Sequence, residues 1–303
     1  MRCLLKMNMV PTPPVKPKNS RLMTQERIDR RVKSGVGQGF RESYVPWIKI
    51  WSFASRGASH IVPGVKVHRA HHLLSTGEYD YHTILEHDQS VIDIREQYPL
   101  LKQAETQAIA SSINVRHPVY PGTHVPLVLT TDFLITQIDN QGKERLVARS
   151  LKYKNEIESA STLKSNRMLE KLEIERRYWA ARDIEWKLVF HENLSQIRIK
   201  NLQVLRSYAV ISPDLATEKN ILNLIEFISA ADTDVVPLKP LLERAARSVF
   251  IKYMGVKCLF FHLIWTGRLE VDLTSDIIVL SKPLHVRVNL STGYSSSEVL
   301  RHA

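Results

Sequence analysis

Residues 130 to 154, TTDFLITQIDNQGKERLVARSLKYK, admit few folds. Two alternating apolar runs, 131 to 138 and 144 to 153, flank DNQGK, a loop by composition, so the segment reads as an antiparallel β-hairpin. Side chains two apart share a face of a strand, and a hairpin brings the start of its first strand beside the end of its second. Asp132 therefore converges with Ser150 and Lys152. A lysine at a strand end is ordinarily one that lays its stem along apolar surface. The conjunction of the hairpin, Asp132 and a basic chain makes Lys152 a candidate for chemistry.

The flanking segments extend the hairpin into a mixed α/β core. HHLLSTGEYDYHTILEHD reads as a helix entered at Ser75, and SVIDIREQYPLL as a strand ending at proline. After the hairpin, SNRMLEKLEIERRYWAARDIEWKLVF gives a long charged helix and a strand beginning near Glu185. Residues 10 to 20, with four prolines, read as an extended arm. A short basic helix follows and stops at Gly35, Gly37 and Gly39, which lack the Lys-Ser or Lys-Thr of a phosphate-binding loop. Beyond residue 195 helices dominate, and WTGRLEVDLTSDIIVL adds a glycine turn and two strand-like runs, the outline of a helix-turn-helix with a β-wing. The chain divides into an arm (1–24), an α/β domain (25–195) and a mostly helical, winged-helix-like domain (196–303).

A net charge of +11, spread over segments that read as folded, favours a polyanionic partner, DNA or RNA. Cys3 and Cys258 are the only cysteines, which fits a reducing compartment. No apolar run approaches the roughly 20 residues needed to cross a bilayer. The expectation is a soluble, cytoplasmic protein with no membrane partner.

A carboxylate beside a lysine suits metal-assisted phosphodiester hydrolysis, in which the carboxylate holds Mg²⁺ and the ammonium steadies developing charge. The carbonyl of Leu151 is a further oxygen donor. One carboxylate is thin support for Mg²⁺, and Glu78 is the candidate second. Its spacing in STGE matches a capping box, and on spacing alone the cap is the better reading. Glu175 falls in a helical stripe with Met168, Leu172 and Trp179, where an acid is commonly satisfied by a salt bridge, here to Lys171. The histidines of HRAHH (68–72) raise zinc, but no cysteine is near and no second ligand pair stands at a familiar spacing, so no zinc site is expected.

At these residues the chain resembles the TnsA family, the endonuclease subunits of heteromeric cut-and-paste transposases. GVGQG (35–39), YVPW (44–47), HHLLSTGE (71–78), SVIDIREQYPLL (90–101), RHPV (116–119), TTDFL (130–134) and LEKLEIERRYW (169–179) carry the likeness, in order, over about residues 30 to 195. The resemblance implies a restriction-endonuclease-like core with Glu78, Asp132 and Lys152 as catalytic residues, and it reverses the cap-only reading of Glu78. It implies Mg²⁺, with Mn²⁺ able to substitute, and places Glu175 near the active site. It further implies 5′-strand cleavage at transposon ends, a TnsB-like DDE transposase and a TnsC-like AAA+ ATPase as partners, association with the nucleoid during transposition, and a DNA- and regulator-binding role for the C-terminal domain. Ser150 stands where the family pattern has glutamine, so its expected contact with the metal is through water. A DNA- and regulator-binding adaptor with weak or no catalysis is the alternative that this departure motivates.

Overall fold

The computed structural model describes residues 22–52, 58–158 and 162–289. The expected arm lies outside the described residues up to position 21. Helix α1 (Gln25–Lys33) ends in a turn where Gly35, Gly37 and Gly39 all have positive φ, a conformation glycine adopts without steric cost. This turn delivers Tyr44 and Trp47 to the interior, each 2% exposed.

Strands β1 (His60–Pro63) and β2 (Ala70–Leu73) form a small antiparallel pair. Helix α2 (Thr76–His87) leads to β3 (Val91–Pro99), and α3 (Gln103–Ser112) to the hairpin of β4 (Thr130–Ile138) and β5 (Glu144–Lys152). Helices α4 (Lys154–Glu158) and α5 (Thr162–Ala180) then cross over to β6 (Glu185–Phe190). The sheet order is β3-β4-β5-β6, antiparallel at the first two junctions and parallel at the last. A parallel neighbour needs such a helical crossover, whereas the hairpin needs only a tight loop.

Period-two alternation assigns the faces. Phe133, Ile135, Val147 and Leu151 pack with Leu73 and Leu85 on the α2 side. Leu134 and Ala148 pack with Ala110, Ile174, Tyr178 and Trp179 on the side of α3 and α5. Ser150 and Asp132 share the parity of this second face, which explains why α5 is the helix that reaches them.

The C-terminal region is helical, as expected. Helices α6 (Gln196–Arg206), α7 (Glu218–Ala230), α8 (Leu238–Ser248) and α9 (Tyr253–Trp265) share one core that includes Leu202, Leu224, Leu241 and Phe260. The wing differs from expectation. Strand β7 (Leu269–Glu270) pairs with β8 (Arg287–Val288), two residues each, and SDIIVL is not a strand. Its backbone is satisfied elsewhere: Asn201 bonds Leu273 O, Asp276 O and Ile278 N, while Leu280 O accepts from Lys239 N. Among the described residues no single helix is long and apolar enough to cross a membrane.

Helix α2 is the joint between the two regions. Glu86 pairs with Arg206 at 2.9 Å, Asp80 accepts from Gln203 at 3.0 Å, and the His87 ring meets Trp265. The start of the same helix carries Glu78.

Candidate active site

The hairpin holds Asp132 and Lys152 together as the alternation requires. Asp132 Oδ2 accepts from the Leu151 amide at 2.7 Å and from Lys152 Nζ at 3.3 Å. Lys152 Nζ also donates to the Leu151 carbonyl. Burial disfavours the ammonium, but Asp132 and then Glu175 outweigh it, so Lys152 stays protonated with its pKa above the usual value.

Glu78 is both cap and site residue. Ser75 caps α2 by accepting from Glu78 N, and Glu78 in return reaches back. Its Oε2 accepts from Leu74 N at 2.8 Å, one residue before the expected Ser75 amide, while Ser75 Oγ donates to Oε1 at 3.3 Å. Gln97 Nε2 adds a third donor at 3.1 Å. The side chain is buried, and the turn that caps the helix fixes its carboxyl. Burial, then the neighbouring Asp132 carboxylate, push Glu78 up to about 8 against the opposing pull of the Leu74 amide, Lys152 and Gln97.

Glu175 departs from the salt bridge expected with Lys171. Its Oε1 accepts from Ser150 Oγ and, at 2.9 Å, from Trp186 Nε1. Helix α5 buries the stripe of Leu172, Glu175 and Trp179 against the sheet, so the acid meets Ser150 rather than solvent. Burial and Asp132 raise Glu175 to about 7, opposed by its hydrogen bonds with Ser150, Thr131 and Trp186. Ser150 is itself buried and committed to Glu175 and Trp186.

A cleft of about 120 Å³ opens on this cluster, lined by Ser75, Gly77, Glu78, Leu151, Lys152, Tyr153, Glu156 and His191. Sequence reasoning missed several of these neighbours. The Tyr153 hydroxyl accepts from Gly77 N at 2.9 Å, and His191 pairs through Nε2 with Asp80 at 2.8 Å. No local pattern marks them, because they come from three distant segments. Gln97 follows other polar residues of β3, Asp93, Arg95 and Glu96, so nothing local distinguishes it; its φ of 50° breaks the alternation there and turns it toward Glu78. A larger cleft of about 290 Å³, lined by Phe40, Arg41, Asp93 and Arg145 among others, lies at the opposite end of the same strands.

The donors offered to a cation are oxygens only: Glu78, Asp132 and the Leu151 carbonyl. Such a set suits Mg²⁺ or Mn²⁺ and not a thiophilic ion. The Lys152 ammonium already bonds two of these oxygens, and Glu78 is raised first by burial and then by the Asp132 carboxylate beside it. The residues fit a divalent cation.

Comparison with known proteins supplies independent findings. Residues 88–191 match the family described as TnsA-like endonuclease N terminal. Over 195 residues the chain is 35% identical to the transposon Tn7 transposition protein TnsA of Escherichia coli, a span covering 64% of this chain and 67% of that protein.

Proposed function

Because the chain belongs to the TnsA-like endonuclease family, we propose that it cuts the 5′ strands at transposon ends in a Mg²⁺-dependent reaction of cut-and-paste transposition. Its proposed partners are transposon-end DNA, a TnsB-like DDE transposase that cuts and joins the 3′ ends, and a TnsC-like AAA+ ATPase. The transposition endonuclease role, on a restriction-endonuclease-like core, follows from the family. The observation that carries the finer reading is the convergence of Glu78, Asp132 and Lys152 from three elements, α2, β4 and β5, with Glu78 and Lys152 lining one cleft and Asp132 hydrogen-bonded to Lys152.

Each residue has a distinct task in this reading. Glu78, Asp132 and the Leu151 carbonyl hold the cation. Mg²⁺, when bound, supplies Lewis-acid polarisation of the scissile phosphate and acidifies a water. Lys152, kept protonated by Asp132 and Glu175, is a hydrogen-bond donor and a positive charge, not a general base. The Leu74 and Gln97 donors orient Glu78 before any ligand arrives. Glu175 acts through Ser150 and through its charge on Lys152, as a positioning residue. Ser150 is tied to Glu175 and so contributes to the cation at most through water. Residues 25–195 form the nuclease domain of this proposal, and 196–303 a winged-helix-like domain that contacts DNA and the ATPase.

The test is strand-resolved cleavage of donor DNA bearing the element's ends, with Mg²⁺ and both partners. Asp132→Ala should lose 5′ cuts by about 100-fold or more, with 3′ cuts intact and the melting temperature retained. Normal 5′ cleavage by Asp132→Ala would overturn the assignment. Wild-type protein that makes no 5′ cut, yet is still required for transposition, would favour the adaptor.

A further inference from the structure

The polar cluster between β2 and α2 has no part in the proposed chemistry. His71 of β2 meets His82 and Glu86 of α2, with one ligand atom of each lying within 4.8 Å of the others. All three are buried, and both histidines are 0% exposed. Among the described residues His71 Nε2, His82 Nδ1 and His82 Nε2 have no hydrogen-bond partner. A buried polar atom left bare is costly, and such groups in native proteins are otherwise satisfied by protein, water or an ion. Three bare nitrogens side by side therefore point to an occupant.

The surroundings are those of a metal centre. His71 Nδ1 bonds Glu96 Oε2 at 2.9 Å, and Glu96 is anchored by Arg69 at 2.6 and 2.8 Å and by the His72 amide at 3.0 Å. A carboxylate on Nδ1–H fixes the tautomer that leaves the Nε2 lone pair free, the arrangement in which carboxylates support ligating histidines. Glu86 is oriented with equal care: Oε1 accepts from Val65 N at 2.7 Å and Lys66 N at 3.4 Å, and Oε2 from Arg206 Nε at 2.9 Å. A carboxylate has about four acceptor positions, so one remains. A Cβ at Gly64 would approach His71 Nε2 to 2.7 Å, so any side chain there would crowd that nitrogen.

We propose that His71, His82 and Glu86 form a second, structural metal site that takes Zn²⁺, with water as the fourth ligand. Two imidazoles and a carboxylate suit zinc, in contrast to the all-oxygen set at Asp132. Zn–N bonds of about 2.05 Å imply edges of roughly 3.3 Å between ligand atoms, so binding would draw together atoms that now lie within 4.8 Å of one another. Glu86 presents its negative charge to the ion directly and Glu96 does so through His71, while Arg206 and Arg69 hold the two carboxylates in place. His82 and Glu86 stand one turn apart, so the ion fastens the middle of α2 to β2, behind the turn that orients Glu78.

The test titrates chelator-stripped full-length protein with Co²⁺ in excess Mg²⁺, then displaces it with Zn²⁺. Wild type should bind one equivalent with the intense visible bands of four-coordinate Co²⁺, and Zn²⁺ should bleach them and raise the melting temperature by about 3 °C or more. Asp132→Ala should respond as wild type does, which separates this site from the nuclease centre; His82→Leu should lose both signals. Absence of bands and of a Zn²⁺ shift in wild type would overturn the proposal, as would an unchanged response in His82→Leu. If His82→Leu does not fold, the wild-type spectrum decides alone, because an all-oxygen six-coordinate site gives only weak bands.

Discussion

Glu96 and Glu78 are both buried carboxyls in the α/β half, and their environments are opposite. Glu96 accepts two hydrogen bonds from Arg69, one from His71 and one from the His72 amide. Burial alone would raise it, but Arg69 and His71 outweigh burial and hold it well below the usual carboxylate range. Glu78 is held by neutral donors, Leu74 N, Ser75 Oγ and Gln97 Nε2, and faces the negative Asp132. Lys152, the cation that lowers it, bonds Asp132 instead. A buried acid with its counter-charges in place is scaffold, whereas one oriented by neutral groups beside a second carboxylate is arranged for a cation that comes from outside.

Removing the Glu96 charge gives the largest expected effect on stability. Glu96→Gln strands Arg69 and His71 in the interior and should cost about 3 to 5 kcal/mol in urea denaturation. A loss below 1 kcal/mol would show that the two acids do not differ as described.

Glu78→Gln should behave in the opposite sense. The folded-state pKa of about 8 lies above the ordinary 4.5, so the proton that Glu78 keeps contributes stability that is complete below pH 4.5 and is lost as pH rises through 8. Metal-free wild type should therefore fall behind Glu78→Gln by about 4 kcal/mol between pH 5 and pH 9, while the variant loses 5′ cleavage. Parallel pH–stability curves for the two proteins would contradict the elevated pKa.

Gln97→Leu tests the neutral donors with a smaller effect. One hydrogen bond to Glu78 disappears, and 5′ cleavage should drop about fivefold at neutral pH. A pH–rate profile distinguishes positioning from general damage, because loss of this donor should move the acidic limb upward.

The sequence reveals most where a strict period forces geometry. The alternation of 131–138 and 144–152 determines the hairpin register, and with it the meeting of Asp132 and Lys152. Glu78 was ambiguous because a capping box and a ligand demand the same residue at the same offset; in the folded chain one turn serves both. Glu175 was legible as an acid on an apolar face, but its partner Ser150 belongs to another element, so local spacing pointed wrongly to Lys171. His191, Tyr153 and Gln97 come together only by tertiary packing. His82 and Glu86 did carry a signal, two ligand types one helical turn apart, which only gains meaning when β2 brings His71 opposite. The wing was misplaced because the apolar run SDIIVL resembles a strand, whereas Asn201 and the start of α8 take up its backbone groups.

The most direct test of the central claim, that Glu78 is a carboxyl held ready for a cation, is calorimetric titration of Mg²⁺ into the protein at pH 7 in buffers of different ionisation enthalpy. With its pKa at about 8, Glu78 is mostly protonated at that pH, so binding should release close to one proton more from wild type than from Glu78→Gln, in which Glu175, at about 7, still contributes. Mg²⁺ binding by wild type without proton release, or with equal release from Glu78→Gln, would contradict it.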